Sequence, residues 1–206
     1  MKTLPALSLI GLIGFVFVAL SIQTEFIVFG DEWMITGISQ FESPAVTVIM
    51  KGLSFIGSLP FVIPLMVVIA LFLAVVLKHR KEIILFVVTI CGSALLNVVL
   101  KLFFQRERPT LNQIISEAGY SFPSGHSMNA CTFYGILIFL LWRHISSRKG
   151  RVLLLILSVA MIIGIGISRI YLGVHYPSDV VGAYLISCTW LFIVIHLFQR
   201  YFGNRK

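Results

Sequence analysis

Residues 83–104 read IILFVVTICGSALLNVVLKLFF, with one charged side chain, Lys101, near the end of the run. About 20 apolar residues in helical conformation cross the hydrocarbon of a bilayer. Backbone groups in lipid must also be satisfied within their own segment. The stretch therefore predicts a transmembrane helix, and five more follow outward from it: Leu4 to Ser21, Leu53 to Leu77, Ser124 to Trp142, Val152 to Leu172 and Asp179 to Phe198. The fold class expected is all-α, a polytopic membrane protein of six transmembrane helices forming a single domain over residues 1–206.

Composition supports this. Of 206 residues 58% are hydrophobic and 12% charged, with a mean hydropathy of +1.00, more apolar surface than a soluble domain of this size can cover. The formal charge of +8 sits in short clusters between apolar runs, not on one contiguous face. That pattern excludes a nucleic-acid partner and fits membrane topology. Cys91, Cys131 and Cys188 lie within apolar stretches, with neither paired spacing nor metal-ligand neighbours, and read as reduced, buried thiols.

Orientation follows from the linkers. Lys78-His79-Arg80-Lys81-Glu82 follows the second span, Arg143 to Arg151 follows the fourth, and the tail carries Arg200, Arg205 and Lys206. The positive-inside rule puts all three in the cytoplasm. An even number of spans then places Lys2 inside as well, so both termini are cytoplasmic. The first span, with its basic start and Ala19-Leu20-Ser21, loosely fits a signal peptide, but the run is long for one and reads as retained. From Asp31 to Ser43, Trp33, Met34, Ile38 and Phe41 alternate with charged and polar residues, and Pro44 follows. This predicts a short interfacial helix after the first span or, equally, an ordered loop on the bundle.

Ionisable groups beside membrane spans are functional candidates, and here they share one face. Lys101 ends the third span and Arg106 and Arg108-Pro109 follow it. Pro123-Ser124-Gly125-His126 opens the fourth, Ser168-Arg169 ends the fifth, and His175 and Asp179 open the sixth. The helix start at Ser124 and Gly125 aims free N–H groups at an anion. Lys101, Arg108 and Arg169 supply cationic donors that match phosphate oxygens. The bland alternatives are cations that only snorkel and an Asp179 that only complements a helix dipole. Asn97, one turn before Lys101, either steers that lysine or bonds a neighbouring helix. Gly164 and Gly166 read as close packing, and Trp142 as an interface anchor.

In this order and spacing the three clusters resemble the type-2 phosphatidic acid phosphatase superfamily, whose motifs run K-x6-R-P, P-S-G-H and S-R-x5-H-x3-D. All three are complete here. The six spans further resemble the small bacterial lipid phosphatases of this family, the phosphatidylglycerophosphate phosphatase type among them. The resemblance implies that His175 is the nucleophile that takes the phosphoryl group, with Asp179 holding its other ring nitrogen. It also implies His126 as acid and then base. Lys101, Arg108, Ser124, Gly125 and Arg169 would bind the substrate phosphate. The outer loops lack a carboxylate cluster, so no metal and no cofactor is implied. The expected substrate is a membrane lipid phosphate met at the outer face of a bacterial cell membrane, phosphatidylglycerophosphate first, then undecaprenyl pyrophosphate or phosphatidic acid. No obligate protein partner is evident. A transporter is the contrasting class, but it would place polar groups along a midplane path.

Overall fold

Apolar chain that must satisfy its own backbone folds as helix, and the computed structural model, which describes residues 3–75 and 80–202, holds helices and no strand among them. In chain order they are α1 (Thr3–Ser21), α2 (Glu25–Ser39), α3 (Pro44–Ile56), α4 (Leu59–Val75), α5 (Arg80–Phe104), α6 (Gly125–Trp142), α7 (Arg148–Tyr171) and α8 (Pro177–Phe202). Helices α1, α5, α7 and α8 are each long and apolar enough to cross a membrane, and α3 with α4 adds a fifth if the bent pair is one span. Helix α6 falls outside that count. It has 18 residues, and its first turns carry His126, Ser127 and Asn129.

Two elements differ from the sequence expectation. The predicted second span began at Leu53, but the helix begins nine residues earlier, at Pro44, and breaks at Gly57-Ser58 with a bend of 49° before continuing as α4. Ser43 caps α3, its Oγ accepting from the Val46 N–H at 3.3 Å, with Pro44 in the first turn, where a missing N–H costs nothing. Pro44 thus opens a helix where the sequence suggested only a break. The corner is permitted by Gly57, where a Cβ would lie 2.6 Å from Ile165 of α7. The predicted end at Leu77 lies outside the described residues, as do Lys2, Lys78, His79, Arg205 and Lys206.

The segment after α1 is a helix, and it starts at Glu25, ahead of the predicted Asp31. Asp31 and Ile35 are buried, while Phe26, Phe29 and Trp33 remain at least 70% exposed. One face of α2 is therefore fixed to the bundle and the other is bare and apolar.

Helix α8 is the axis of the bundle, packed against α1, α5 and α6. Phe86, Phe133, Ile136, Leu191 and Val194 form the core at one end, and Phe15, Phe122, Met128, Ala183 and Ile186 at the other. Close approach depends on small residues. A Cβ on Gly92 would lie 2.2 Å from the Trp190 ring, and one on Gly166 would lie 2.0 Å from the Tyr184 hydroxyl. At the end opposite the motif residues, Arg143 pairs with Glu82 and draws two basic linkers together. Cys131 and Cys188 approach to 3.8 Å between sulfurs across α6 and α8 and are not bonded, whereas Cys91 is exposed. The sequence expectation that all three thiols are buried thus holds at Cys131, is met in part at the half-buried Cys188 and fails at Cys91, which sits on an outward face of α5.

Gly92→Leu should force α5 from α8. Overpacking of this kind costs about 1–3 kcal/mol, to be read as a lowered unfolding midpoint of the detergent-solubilised protein, with Gly37→Leu, which meets nothing within 4 Å, as the control.

Candidate active site

The segment between α5 and α6 folds back on its own base: the Ser121 N–H donates to the Arg106 carbonyl at 2.8 Å, and the Ile114 N–H to the Leu172 carbonyl at 3.2 Å. Arg108 cross-links it. Its Nε donates to the Gly119 carbonyl at 2.9 Å, Nη2 to Ala118 at 3.1 Å and Nη1 to Val174 at 2.8 Å. Phe122, fully buried between Phe15 and Phe104 with ring centroids 5.7 and 5.0 Å away, pins the chain just before α6. These contacts bring motif residues from α5, α6, α7 and α8 together.

At the centre stands His175, fully buried on the turn between α7 and α8. Its Nδ1 lies 3.3 Å from Asp179 Oδ2 and 3.3 Å from Ser121 Oγ, and its Nε2 lies 3.3 Å from Arg108 Nη1. A carboxylate only accepts, so this geometry assigns the proton to Nδ1 and leaves a lone pair on Nε2 facing the guanidinium. Burial pushes the His175 pKa down to about 3, against the opposing pull of Asp179, with Arg108 and Arg169 adding to the fall. The ring is neutral at physiological pH. Burial likewise lowers the Arg108 pKa, opposed by Asp179, yet a guanidinium starts so high that it stays cationic.

Asp179 is fully partnered. Oδ2 also accepts from the Ser121 hydroxyl and from the Tyr176 N–H at 2.9 Å, while Oδ1 takes Arg106 Nη1 at 2.6 Å. Arg106 extends the chain outward. Its Nη2 reaches Asp31 Oδ2 of α2 at 2.9 Å, its plane stacks on Tyr176 at 4.1 Å, and Asp31 in turn accepts from the Ser178 N–H and hydroxyl. Arg106 and Asp31 thereby steady the carboxylate behind the imidazole.

On the other side, Arg169 is buried at 1% exposure, with Nη1 on the Ser54 hydroxyl of α3 and Nη2 in ion contact with Glu117. The Glu117 carboxylate lies also 3.7 Å from Arg108 and 3.9 Å from His126 Nδ1. His126, Arg169 and Glu117 line a cleft of about 320 Å³ together with Lys51 and Ser54. Lys101 Nζ donates to the Tyr120 carbonyl at 2.8 Å. Ser124 caps α6, its Oγ accepting from the Ser127 N–H and hydroxyl at 3.5 and 3.0 Å. Gly125 permits Asn97 to approach, for a Cβ there would lie 3.1 Å from Asn97 Oδ1. Asn97 donates to the Pro123 carbonyl at 3.0 Å and to Met128 Sδ, so it bonds the neighbouring segment and does not steer Lys101.

The model of the PAP2 superfamily matches residues 82–202, more than half of the chain. The chain belongs to the PAP2 superfamily. This PAP2 protein is 32% identical over 184 residues to phosphatidylglycerophosphatase B of Bacillus subtilis (strain 168), covering 87% of this chain and 89% of the relative. Its fold is similar to the crystal structure of the transmembrane PAP2 type phosphatidylglycerolphosphate phosphatase from Bacillus subtilis, with a TM-score of 0.89 at 28% identity over 96% of this chain and 98% of that one. An Escherichia coli (strain K12) relative, whose name gives undecaprenyl-diphosphatase as a provisional activity, is 33% identical over 152 residues, 68% of this chain and 72% of the relative. This PAP2 protein is therefore a membrane lipid phosphatase, a phosphoric monoester hydrolase.

The eight residues singled out from the sequence all border this one region. What the sequence left unassigned is the support: Asp31, Ser54, Arg106, Glu117 and Ser121. Asp31 and Arg106 had a signal, as charges beside apolar spans. Ser54, Glu117 and Ser121 had none, since nothing in their local sequence sets them apart.

In histidine-labelled protein, the ring signals lost in His175→Asn should keep neutral-imidazole shifts from pH 8 down to pH 5. Titration of those signals near the ordinary value of about 6.5 would contradict the buried, neutral ring.

Proposed function

We propose that this PAP2 phosphatase converts phosphatidylglycerophosphate to phosphatidylglycerol through a phosphohistidine on His175. The observation that carries the reading is the His175 ring itself, with Nδ1 on the buried Asp179 and Nε2 facing Arg108. A neutral imidazole oriented by a carboxylate is a competent nucleophile near pH 7.

In the first step the Nε2 lone pair attacks phosphorus and the bond to the lipid oxygen breaks. Lys101, Arg108, Arg169 and the first turn of α6 at Ser124 and Gly125 neutralise the phosphoryl oxygens, and His126 gives a proton to the departing alkoxide. Asp179 stabilises the imidazolium formed, as the carboxylate does in a serine hydrolase triad. In the second step His126 takes a proton from water, which attacks phosphorus and breaks the phosphorus–nitrogen bond. Inorganic phosphate leaves and both histidines return to their starting states. The cations do the electrostatic work, so no metal is required.

The Bacillus subtilis relative supports phosphatidylglycerophosphate as the substrate, and the Escherichia coli relative supports undecaprenyl pyrophosphate as the second reading. Both are anions on lipid anchors, which suits a site where span ends meet water.

We read the chain as one domain of six spans, counting α3 with α4 as one and adding α6, which packs against α5, α7 and α8. Helix α1 is retained in this reading, because its Gly11 seats against Thr189 of α8 and its Phe15 against Phe122. Helix α2 lies along the outer interface, its exposed Phe26, Phe29 and Trp33 in lipid. The basic linkers and both termini face the cytoplasm of a bacterial cell and the site faces outward.

Purified wild-type protein should release phosphate from a panel of lipid phosphates, fastest from phosphatidylglycerophosphate, and keep its rate in EDTA. His126→Ala should lose about 10²–10⁴-fold, the usual worth of a general acid, and His175→Ala should fall to background. Equal release by all three proteins would sink the assignment.

Orientation has its own test. A cysteine replacing the exposed Gln113 should react with an impermeant thiol reagent in intact cells, and protection until lysis would place the site on the cytoplasmic face.

A further inference from the structure

Resting on that reading of the site, we propose that Glu117 is a built-in competitor for the phosphate cradle, which reserves it for terminal phosphate monoesters and keeps phosphodiester head groups out. Glu117 belongs to none of the three motifs. Yet its carboxylate stands where a substrate phosphate would stand, against Arg169 and Arg108 through Oε2 and toward His126 through Oε1. These are two of the cations assigned to the phosphoryl oxygens and the histidine assigned to the leaving oxygen. A phosphate seated for attack by His175 and a carboxylate seated as here cannot both occupy the space.

The cradle is unfinished with Glu117 in it. Arg169 is buried at 1% exposure, and its Nε has no hydrogen-bond partner. Its Nη2 is met by Glu117 Oε2. A carboxylate brings one negative charge, too little for the three cations Lys101, Arg108 and Arg169 that gather here, and it leaves the Nε of Arg169 unmet. A terminal phosphate monoester brings three free oxygens and a charge near −1.5 to −2. It can replace Glu117 and complete the donors. A phosphodiester brings two free oxygens and one charge, no more than the carboxylate it must expel, and it must also be drawn from the surface into the site.

Glu117 is placed to leave. Its side chain is 30% exposed, so rotation about its own side-chain torsions carries the carboxylate to water while Arg108 keeps the Ala118 and Gly119 backbone in place. The gain is selectivity in a membrane whose anionic lipids are mostly phosphodiesters, and for the proposed reaction the lipid product is itself one.

The test measures phosphate release from a short-chain phosphatidic acid in detergent micelles while dioleoyl phosphatidylglycerol is added in excess, for wild type, Glu117→Gln, Glu117→Ala and His175→Ala. Wild type should be indifferent to the diester. Both Glu117 variants should be inhibited several-fold at the same excess, with a KM for the monoester and an inhibition constant for inorganic phosphate each lowered on the order of tenfold, one lost charge contact of about 1.4 kcal/mol. Wild-type indifference in both Glu117 variants, or loss of kcat with KM and phosphate inhibition unchanged, would overturn the proposal while leaving the site intact. Should wild type and His175→Ala release phosphate equally, the reading of the site fails and the proposal falls with it.

Discussion

A carboxylate with almost no exposure, Asp179 at the start of α8, sets the terms for this end of the protein. A buried charge without partners is prohibitively costly, and Asp179 answers by collecting donors from across the chain. Arg106 and Ser121 come from the segment between α5 and α6, His175 and the Tyr176 N–H from the turn before α8. Through Arg106 the same demand reaches Asp31 and so fastens α2 to the bundle. Satisfying one charge thus fixes a loop, an interhelical turn and a helix, and it orients the imidazole in passing.

Charge is sorted across that imidazole. Behind it lie the carboxylates Asp179 and Asp31, shared by the single guanidinium of Arg106. Before it lie Lys101, Arg108 and Arg169, the two arginines met by the carboxylate of Glu117. The rear is closed and hydrogen-bonded throughout, as a positioning device must be to hold one geometry, and its two carboxylates against one guanidinium leave negative charge on the side of the imidazole that becomes cationic. The front carries excess positive charge, as an anion site must. Burial holds the His175 ring neutral between them, so the lone pair on Nε2 is available to the side where an anion collects.

The apolar architecture serves the same end. Close contacts at Gly57, Gly92 and Gly166 let helices meet tightly enough for residues from α5 to α8 to share one pocket. The bend between α3 and α4 brings Ser54 onto Arg169 while the remainder of the pair diverges. Phe122, locked between aromatic rings, converts packing into the position of the α6 start.

Long apolar runs have only one way to satisfy a backbone in lipid, so helices and their approximate ends were legible in residues such as Ile83 to Phe104 without any tertiary information. The motif residues were legible for a related reason: an ionisable group beside such a run needs a function to offset its cost. The corner at Gly57-Ser58 was not, because it exists to admit Ile165, a neighbour in space and not in sequence. Nor was the start of α2 at Glu25, since Asp31 looks like a surface charge until Arg106 is placed beside it. Sequence by itself determined the helical class, the family and the motif residues that come together at the site. Tertiary structure alone decided which carboxylate stands behind His175 and which in front, because the sign and place of a partner depend on distances between segments that no local pattern encodes.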